Sequence, residues 1–296
     1  MNAREAGFLL LTAKLGNPER HTLTVAQFRD LAAKIGYLAV DKPERELRQE
    51  DIVSLGYNRE AAERIVALLQ EEMLLSHYVR QGQKRGCVPL TRVSEKYPQT
   101  LRRRLRLETP GSLWAKGDLD ILQTPAISLV GSRNLQEENR EFAREVGRQA
   151  ALQGYTLISG NARGADREAQ DSCLQWGGKV ISVVADRLQD QKAEENILYL
   201  SEDGYDLPFS GYRALSRNRV IHALPTGGVF VAQCGLKTGG TWSGTEKNLR
   251  HNWSPVFCFD DQSKSQQELC ARGATAVKNA DLLDIYALHK VTPSLF

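Results

Sequence analysis

The chain has 296 residues, 41% of them apolar and 25% charged, with a formal charge of only +3. That profile belongs to a globular protein of one large domain or two unequal ones, with ample chain for a packed core. It excludes a disordered chain, no apolar run nears the roughly 20 residues that cross a bilayer, and any basic footprint has to come from local clustering.

Residues 1–82 read as a helical N-terminal domain of the helix-hairpin, SAM-like kind. Apolar spacing predicts helices over 5–15 and 25–35, parted by Gly16-Asn17-Pro18. Residues 51–69 read as helix, tight turn at Gly56, helix. Such hairpins can dock on a nucleic-acid backbone, but few Lys or Arg residues flank this turn, which favours packing or partner contact. Arg4 and Glu5 before the short Gly7–Leu11 run do not make a signal peptide.

Residues 83–296 read as the second domain. Its first part, about 86–117, carries the Cys87–Leu90 apolar run, Tyr97-Pro98, the basic Thr100–Leu107 segment and an edge strand over Ser112–Ala115. The arginines Arg102, Arg103, Arg104 and Arg106 read as a solvated face. Beyond them, strands are expected over 127–130, 156–158, 179–184, 229–232, 256–259 and near Ala276. Helices are expected over 137–153, 166–177 and 245–251, the first with Phe142, Val146 and Ala150 on one face. Strands alternating with helices predict an α/β, Rossmann-like doubly wound sheet, mostly parallel, with ligands beyond the carboxyl ends of its strands. Five scattered cysteines without a CxxC argue against a disulfide framework or a zinc cluster, and for a reducing cytoplasm.

The motifs at those strand ends suit phosphate. Gly131-Ser132-Arg133 closes the first strand, and Ser159-Gly160-Asn161-Ala162-Arg163-Gly164-Ala165-Asp166 closes the second. Each turn is read as opening a helix, bringing free N–H groups and an arginine fork to one sheet edge. Asp166 either caps the following helix or bonds a ribose, a base or Arg163. Ser216-Arg217-Asn218-Arg219 opens a further helix, with Arg217 and Arg219 beside its first amides. Gly239–Glu246 reads as a loop in which Gly240, Thr241, Ser243, Gly244 and Thr245 can bond a phosphate or sugar. There Ser243 or Thr245 can cap the next helix, and Trp242 either stacks on a base or packs at the rim. There is no GxGxxG or Walker A sequence.

Catalysis finds little support. The histidines do not cluster, His222 reads as a satisfied core residue, and Glu202-Asp203 and Asp260-Asp261 read as solvated loop pairs. No base stands beside Ser132 or Ser159, so no catalytic residue, metal or cofactor is assigned.

Gly131-Ser132-Arg133, Ser159-Gly160-x-Ala162-Arg163-Gly164-x-Asp166, Gly177-Gly178-Lys179-Val180 and Arg217-Asn218-Arg219-Val220-Ile221 come in the order and spacing of the DNA-processing protein A (DprA/Smf) family. Tyr97-Pro98 and Leu113–Gly117 resemble that family's approach to its Rossmann-like domain. The resemblance is clear over about 88–260, and looser in the helical region. It implies a dimeric single-stranded DNA-binding protein that protects incoming strands and helps load the RecA recombinase. By it Ser132, Arg133, Arg163, Gly164 and Arg217 would hold backbone phosphates. The chain departs from the family's pattern at Gln170, where a His is usual, at Gln233, where an acid is common, and in the loop Gly239–Glu246. That loop looks closer to those of nucleotide-binding relatives, and nothing after about residue 290 suggests the winged-helix domain that ends many members. The resemblance therefore leaves a second expectation, a nucleotide-sensing module in phage defence. A hydrolase of the nucleotide glycosidic bond would rest on Glu246 alone.

Overall fold

A computed structural model of the protein describes residues 1–38 and 46–291. The N-terminal helices are α1 (Ala3–Thr12), α2 (Val25–Ile35), α3 (Gln49–Ser54), α4 (Arg59–Leu69) and α5 (Glu72–Lys84). The Asn2, Thr24 and Asn58 side chains each accept a first-turn N–H, which satisfies donors that a helix start leaves open. Helix α5, which the sequence reading did not separate, is anchored by Tyr78, whose ring lies 5.3 Å from Trp114 and 4.6 Å from Tyr205. Gly82 permits this approach, because a Cβ there would meet the Trp114 ring at 2.9 Å. One apolar cluster consequently runs from Leu9 and Leu75 through Trp114 to Phe142 and Leu157. A smaller one, around Leu31, Ile52 and Ile65, fills the helical hairpins.

The rest of the chain alternates β1 (Cys87–Thr91), α6 (Gln99–Leu105), β2 (Ser112–Lys116), β3 (Ala126–Val130), α7 (Glu137–Leu152), β4 (Thr156–Ser159), α8 (Ala165–Gln175), β5 (Val180–Val183), β6 (Ile197–Glu202), α9 (Gly211–Ser216), α10 (Asn218–Ala223), β7 (Val229–Val231), α11 (Gly239–His251), β8 (Val256–Phe259), α12 (Lys264–Ala271), β9 (Thr275–Val277) and α13 (Ile285–Val291). Among the described residues these strands form one sheet in the order β1-β2-β6-β5-β4-β3-β7-β8-β9. From β6 to β9 neighbours are parallel, and β2 joins β6 antiparallel. The Rossmann-like doubly wound sheet is therefore present. Strand β2 is not an edge, since β1 pairs outside it, and β6 escaped the sequence reading.

Side chains alternate between two layers. Ile127, Leu129 and Leu157 pack with Phe142 and Val146 on one face, whereas Val130 and Ile158 pack with Val220 and Ile221 on the other. Strand β3 lies between β4 and β7, so the chain winds away in both directions from its carboxyl end. That switch point is where an open parallel sheet leaves a crevice. The described residues hold five free cysteines and no helix long and apolar enough to cross a membrane. The stretch expected to lack a winged helix lies outside the described residues from 292 onward.

Candidate anion-binding site

The two glycine-rich turns dock on each other at the carboxyl ends of β3 and β4. The Ala165 N–H donates to the Ser132 carbonyl at 3.1 Å, and Ser132 N–H donates to Gln233 O at 2.9 Å. Gly164 has φ +89° and sits against the Ser132 and Arg133 carbonyls, a close approach at a backbone angle that glycine adopts most readily. Gly131 admits Ala165 in the same way. This docking is what carries Arg133 and Arg163 to one rim.

Asp166 is buried inside the second turn, where its carboxylate accepts the Ala162 N–H at 3.2 Å. Burial raises its pKa, while Arg217 and the Ala162 and Gly160 amides pull the other way. The helix N-cap is Gly164, so Asp166 neither caps α8 nor meets Arg163; it fixes the turn from within. Among the described residues, the N–H groups of Arg133, Asn161 and Arg163 have no protein acceptor.

Arg217 closes the site. It joins α9 to α10 and is 8% exposed, its guanidinium lying over the Gly160 backbone where a Cβ could not fit. Burial lowers its pKa, partly offset by Asp166 and Asp186. Among the described residues no carboxylate stands within ion-pair distance, and its Nε has no hydrogen-bond partner. A buried cation in that position is stabilised by an anion arriving from outside.

Three hollows meet around these side chains. The largest, about 620 Å³, is lined by Gly131, Ser132, Arg133, Asp166, Arg217 and Asn218 together with Gly240 and Thr241. A second of about 520 Å³ adds Gly160, Arg163 and Asp186, and a third of about 410 Å³ adds Gly164, Asn134 and Arg167. Arg133 borders all three, Arg217 two and Arg163 two. Asn218 Nδ2 donates to Gly240 O at 3.1 Å and Thr241 Oγ1 to Gly131 O at 3.0 Å, which ties the two sides of the crevice together.

Several expected members are elsewhere. Ser159 is fully buried and its hydroxyl accepts from Gln170, which also reaches Ser182 Oγ at 3.4 Å. Arg219 turns away to Glu202 at 2.6 Å. Glu202 is not solvated: it is buried at the end of β6, its pKa pushed up to about 7 by burial against the pull of Arg219. Residues Gly239–Glu246 are the start of α11 rather than a loop, because Thr238 is its N-cap residue. Trp242 is accordingly core, 4% exposed under the Arg272 guanidinium, and Thr245 is fully buried. Ser243 donates to Gly240 O on the exposed side, and neither it nor Thr245 caps the helix. Gly244 packs against His222. Arg104 is no solvated residue either, since it donates to Ala223 O at 3.1 Å and to Ser254 Oγ at 2.7 Å.

The amide cradles are smaller than expected. Helix α7 starts at Glu137, six residues after Gly131, with Glu137 and Glu138 in its own first turn. The Arg217 N–H is bonded to Arg213 O, so α10 presents no open start. Gln233, in place of the family's acid, accepts the Gln136 N–H through its side chain at 2.9 Å. The sequence reading missed Phe209, Asp186 and Cys234 at the hollows. Phe209 left a signal, an aromatic between Pro208 and Ser210 in a polar stretch. His222 is a core residue as expected, fully buried beside the largest hollow, but not a satisfied one, since neither ring nitrogen has a hydrogen-bond partner among the described residues.

Comparison with known proteins places these features. The model of a family described as DNA recombination-mediator protein A matches residues 89–287. Protein Smf of Escherichia coli (strain K12) is 31% identical over 157 residues, 49% of this chain and 41% of that protein. Across the first such curated relatives the matched stretch covers half of their length or less. The X-ray structure of DNA processing protein A from Streptococcus pneumoniae superposes with a TM-score of 0.65 at 24% identity, covering 89% of this chain and 98% of that one. DNA processing protein A from Helicobacter pylori, described with a single-stranded DNA binding mode, superposes with 0.57 at 23% identity over 70% and 97%. At these identities the two structures show a shared fold.

Proposed function

This chain belongs to the DNA recombination-mediator protein A family of DNA-processing proteins, and from that premise we propose that it binds single-stranded DNA along the rim of Arg133, Arg163 and Arg217. The observation that carries the reading is Arg217, a buried guanidinium without a carboxylate partner that faces two adjoining hollows. Arg133 and Arg163 beside it are exposed, and a row of forked cations fits the repeating phosphates of a strand. The Helicobacter pylori relative's single-stranded DNA binding mode supports the same choice of ligand.

The finer steps are protection of incoming strands, assistance to RecA loading in DNA uptake, action as a homodimer and residence in the cytoplasm. They rest on the family alone. The reading includes no covalent step: Glu246 is held by Arg272 and does not line the three hollows. A second reading, a small-nucleotide sensor of phage defence, is favoured by the size of the largest hollow, which falls within the usual range for small-molecule sites.

Fluorescence anisotropy with a labelled oligonucleotide, across a salt series and with a mononucleotide competitor, decides between them. Arg217→Met should weaken oligonucleotide binding by about 30-fold or more, the loss expected when charge-assisted hydrogen bonds to a phosphate go. Unchanged affinity in that variant would sink the phosphate grip. Binding of a mononucleotide without any oligonucleotide affinity would favour the sensor.

A further inference from the structure

The hollow of about 520 Å³ carries an acid in a wall otherwise suited to anions. Asp186 follows β5 at the carboxyl edge of the sheet and borders this hollow together with Gly160, Arg163, Phe209 and Arg217. Among the described residues that line it, Asp186 is the one carboxylate. Its side chain is exposed, and among the described residues it makes no ion pair and accepts no hydrogen bond. Arg213 and Arg217 feel its charge without touching it. Arg213 is turned instead to Ala185 O at 2.6 Å and Ser201 Oγ at 2.7 Å, and Arg217 lies on the Gly160 backbone. Asp186 is thus an open acceptor in reach of whatever enters the hollow.

A carboxylate beside arginines that grip phosphate opposes binding through like-charge repulsion, unless the ligand brings it a hydrogen-bond donor. Within a DNA strand the phosphates are anions, and the ester and ring oxygens of the sugar only accept. The donors of the strand are therefore on its bases. Cytosine and adenine offer an amino group and thymine a ring N–H, whereas guanine offers a ring N–H and an amino group side by side. Two adjacent donors match the two oxygens of one carboxylate, the bidentate geometry that makes charge-assisted pairs strong. In an unpaired strand that edge of the base is free to be read. Phe209, 58% exposed, and Ala162 and Ala185 give the same hollow apolar surface for the flat face of a base. A phosphate grip, an apolar wall and an open acceptor lie around one space of nucleotide size.

We propose that Asp186 is a specificity-determining residue, which accepts from the donor edge of a base held in this hollow and favours guanine. The inference rests on the single-strand reading above and deepens it, by naming the base that the site prefers. Discrimination comes from the carboxylate, since phosphate contacts are common to every unit of a strand and stacking tolerates any base.

The test uses the full chain and three labelled strands of equal length, in which thymine alternates with guanine, with hypoxanthine or with an abasic site. Hypoxanthine is guanine without its amino group, so it removes one donor and leaves the rest of the base. Wild-type protein should bind the guanine strand about tenfold more tightly than the hypoxanthine strand, the factor for one hydrogen bond to a charged group. In Asp186→Ala that ratio should fall to near one, while the abasic strand binds about twofold more tightly because a surface like charge has gone. Thermal unfolding checks that the variant is folded. Equal tightening of all three strands in Asp186→Ala, with the guanine preference kept, would overturn the inference, because the carboxylate would then only repel phosphate. A wild-type ratio near one would overturn it too, while the phosphate grip stands. Failure of wild-type protein to bind any of the strands would instead remove the single-strand reading, and this inference with it.

Discussion

Arg217 and Arg219 leave the same turn of helix for opposite fates. Arg217 lies on the Gly160 backbone, faces two hollows and meets no carboxylate at ion-pair distance among the described residues. Arg219, two positions later, is paired with buried Glu202, which also accepts from Ser216 Oγ at 3.2 Å. Arg213 belongs to the same inward region, donating to Ala185 O at 2.6 Å and Ser201 Oγ at 2.7 Å. One side of α9–α10 spends its cations on the fold, and the other keeps a cation for an outside anion. Charge at a strand end says little about ligand binding until the acid opposite it is known.

Changes on the inward side should therefore move stability and leave affinity alone. Arg219→Met leaves the Glu202 carboxylate buried without its partner and should destabilise the protein by about 3 kcal/mol. Chemical denaturation checks this, and a loss of oligonucleotide affinity larger than the loss of folded protein would contradict the division.

Acidity offers a second probe on a similar scale. Glu202 has a folded pKa of about 7, raised by burial, so its contribution is full below its unfolded value and is lost as pH rises through 7. His222 is depressed to about 3, so its contribution is present above its unfolded value and is lost as pH falls toward 3. Across its window Glu202 is worth up to about 3 kcal/mol and His222 up to about 5 kcal/mol, and between pH 4.5 and 6.5 the two oppose each other. Relative to wild type, Glu202→Gln should remove a decline in stability between pH 4.5 and 7. His222→Leu should remove a rise between pH 3 and 6.5. Unfolding midpoints measured from pH 3 to 8 read both, and parallel curves for all three proteins would refute the assignments.

The outward side should respond in the opposite sense. Arg133→Ala with Arg163→Ala should weaken oligonucleotide binding by about tenfold and flatten its log–log salt slope by about 1.4, from two phosphates at about 0.7 each. Their exposure means that unfolding midpoints should stay where they are. The smallest effect belongs to Arg102 and Arg103, which are exposed on α6 and line none of the three hollows. Replacing both by Ala should change affinity by less than about twofold, a surface-charge effect that salt screens. A larger drop in an anisotropy titration would extend the strand's path onto α6.

Much of the fold was legible because burial leaves periodic traces. Ala126–Val130 and Val256–Phe259 are apolar runs covered on both faces, and Phe142, Val146 and Ala150 recur at helical spacing. Gly131, Arg133, Arg163 and Arg217 could be named because glycine-rich strand ends and arginine forks are local signals. The start of α11 could not, since Gly239-Gly240-Thr241 has a loop's composition and becomes helix through packing of Trp242, Thr245 and Asn248.

Chain order and local pattern were enough to settle a parallel doubly wound sheet, and to place the glycine-rich turns at its carboxyl edge. Partnership is another matter, because the groups that neutralise or expose a charge come from distant parts of the chain. Only the packed structure decided that Glu202 takes Arg219 and leaves Arg217 open, that Asp166 holds its own turn, and that Gln170 takes the Ser159 hydroxyl. The physical reason is that a buried polar group is defined by what lies within about 3 Å of it, and strand pairing across β3–β7 and β4–β5 sets those neighbours.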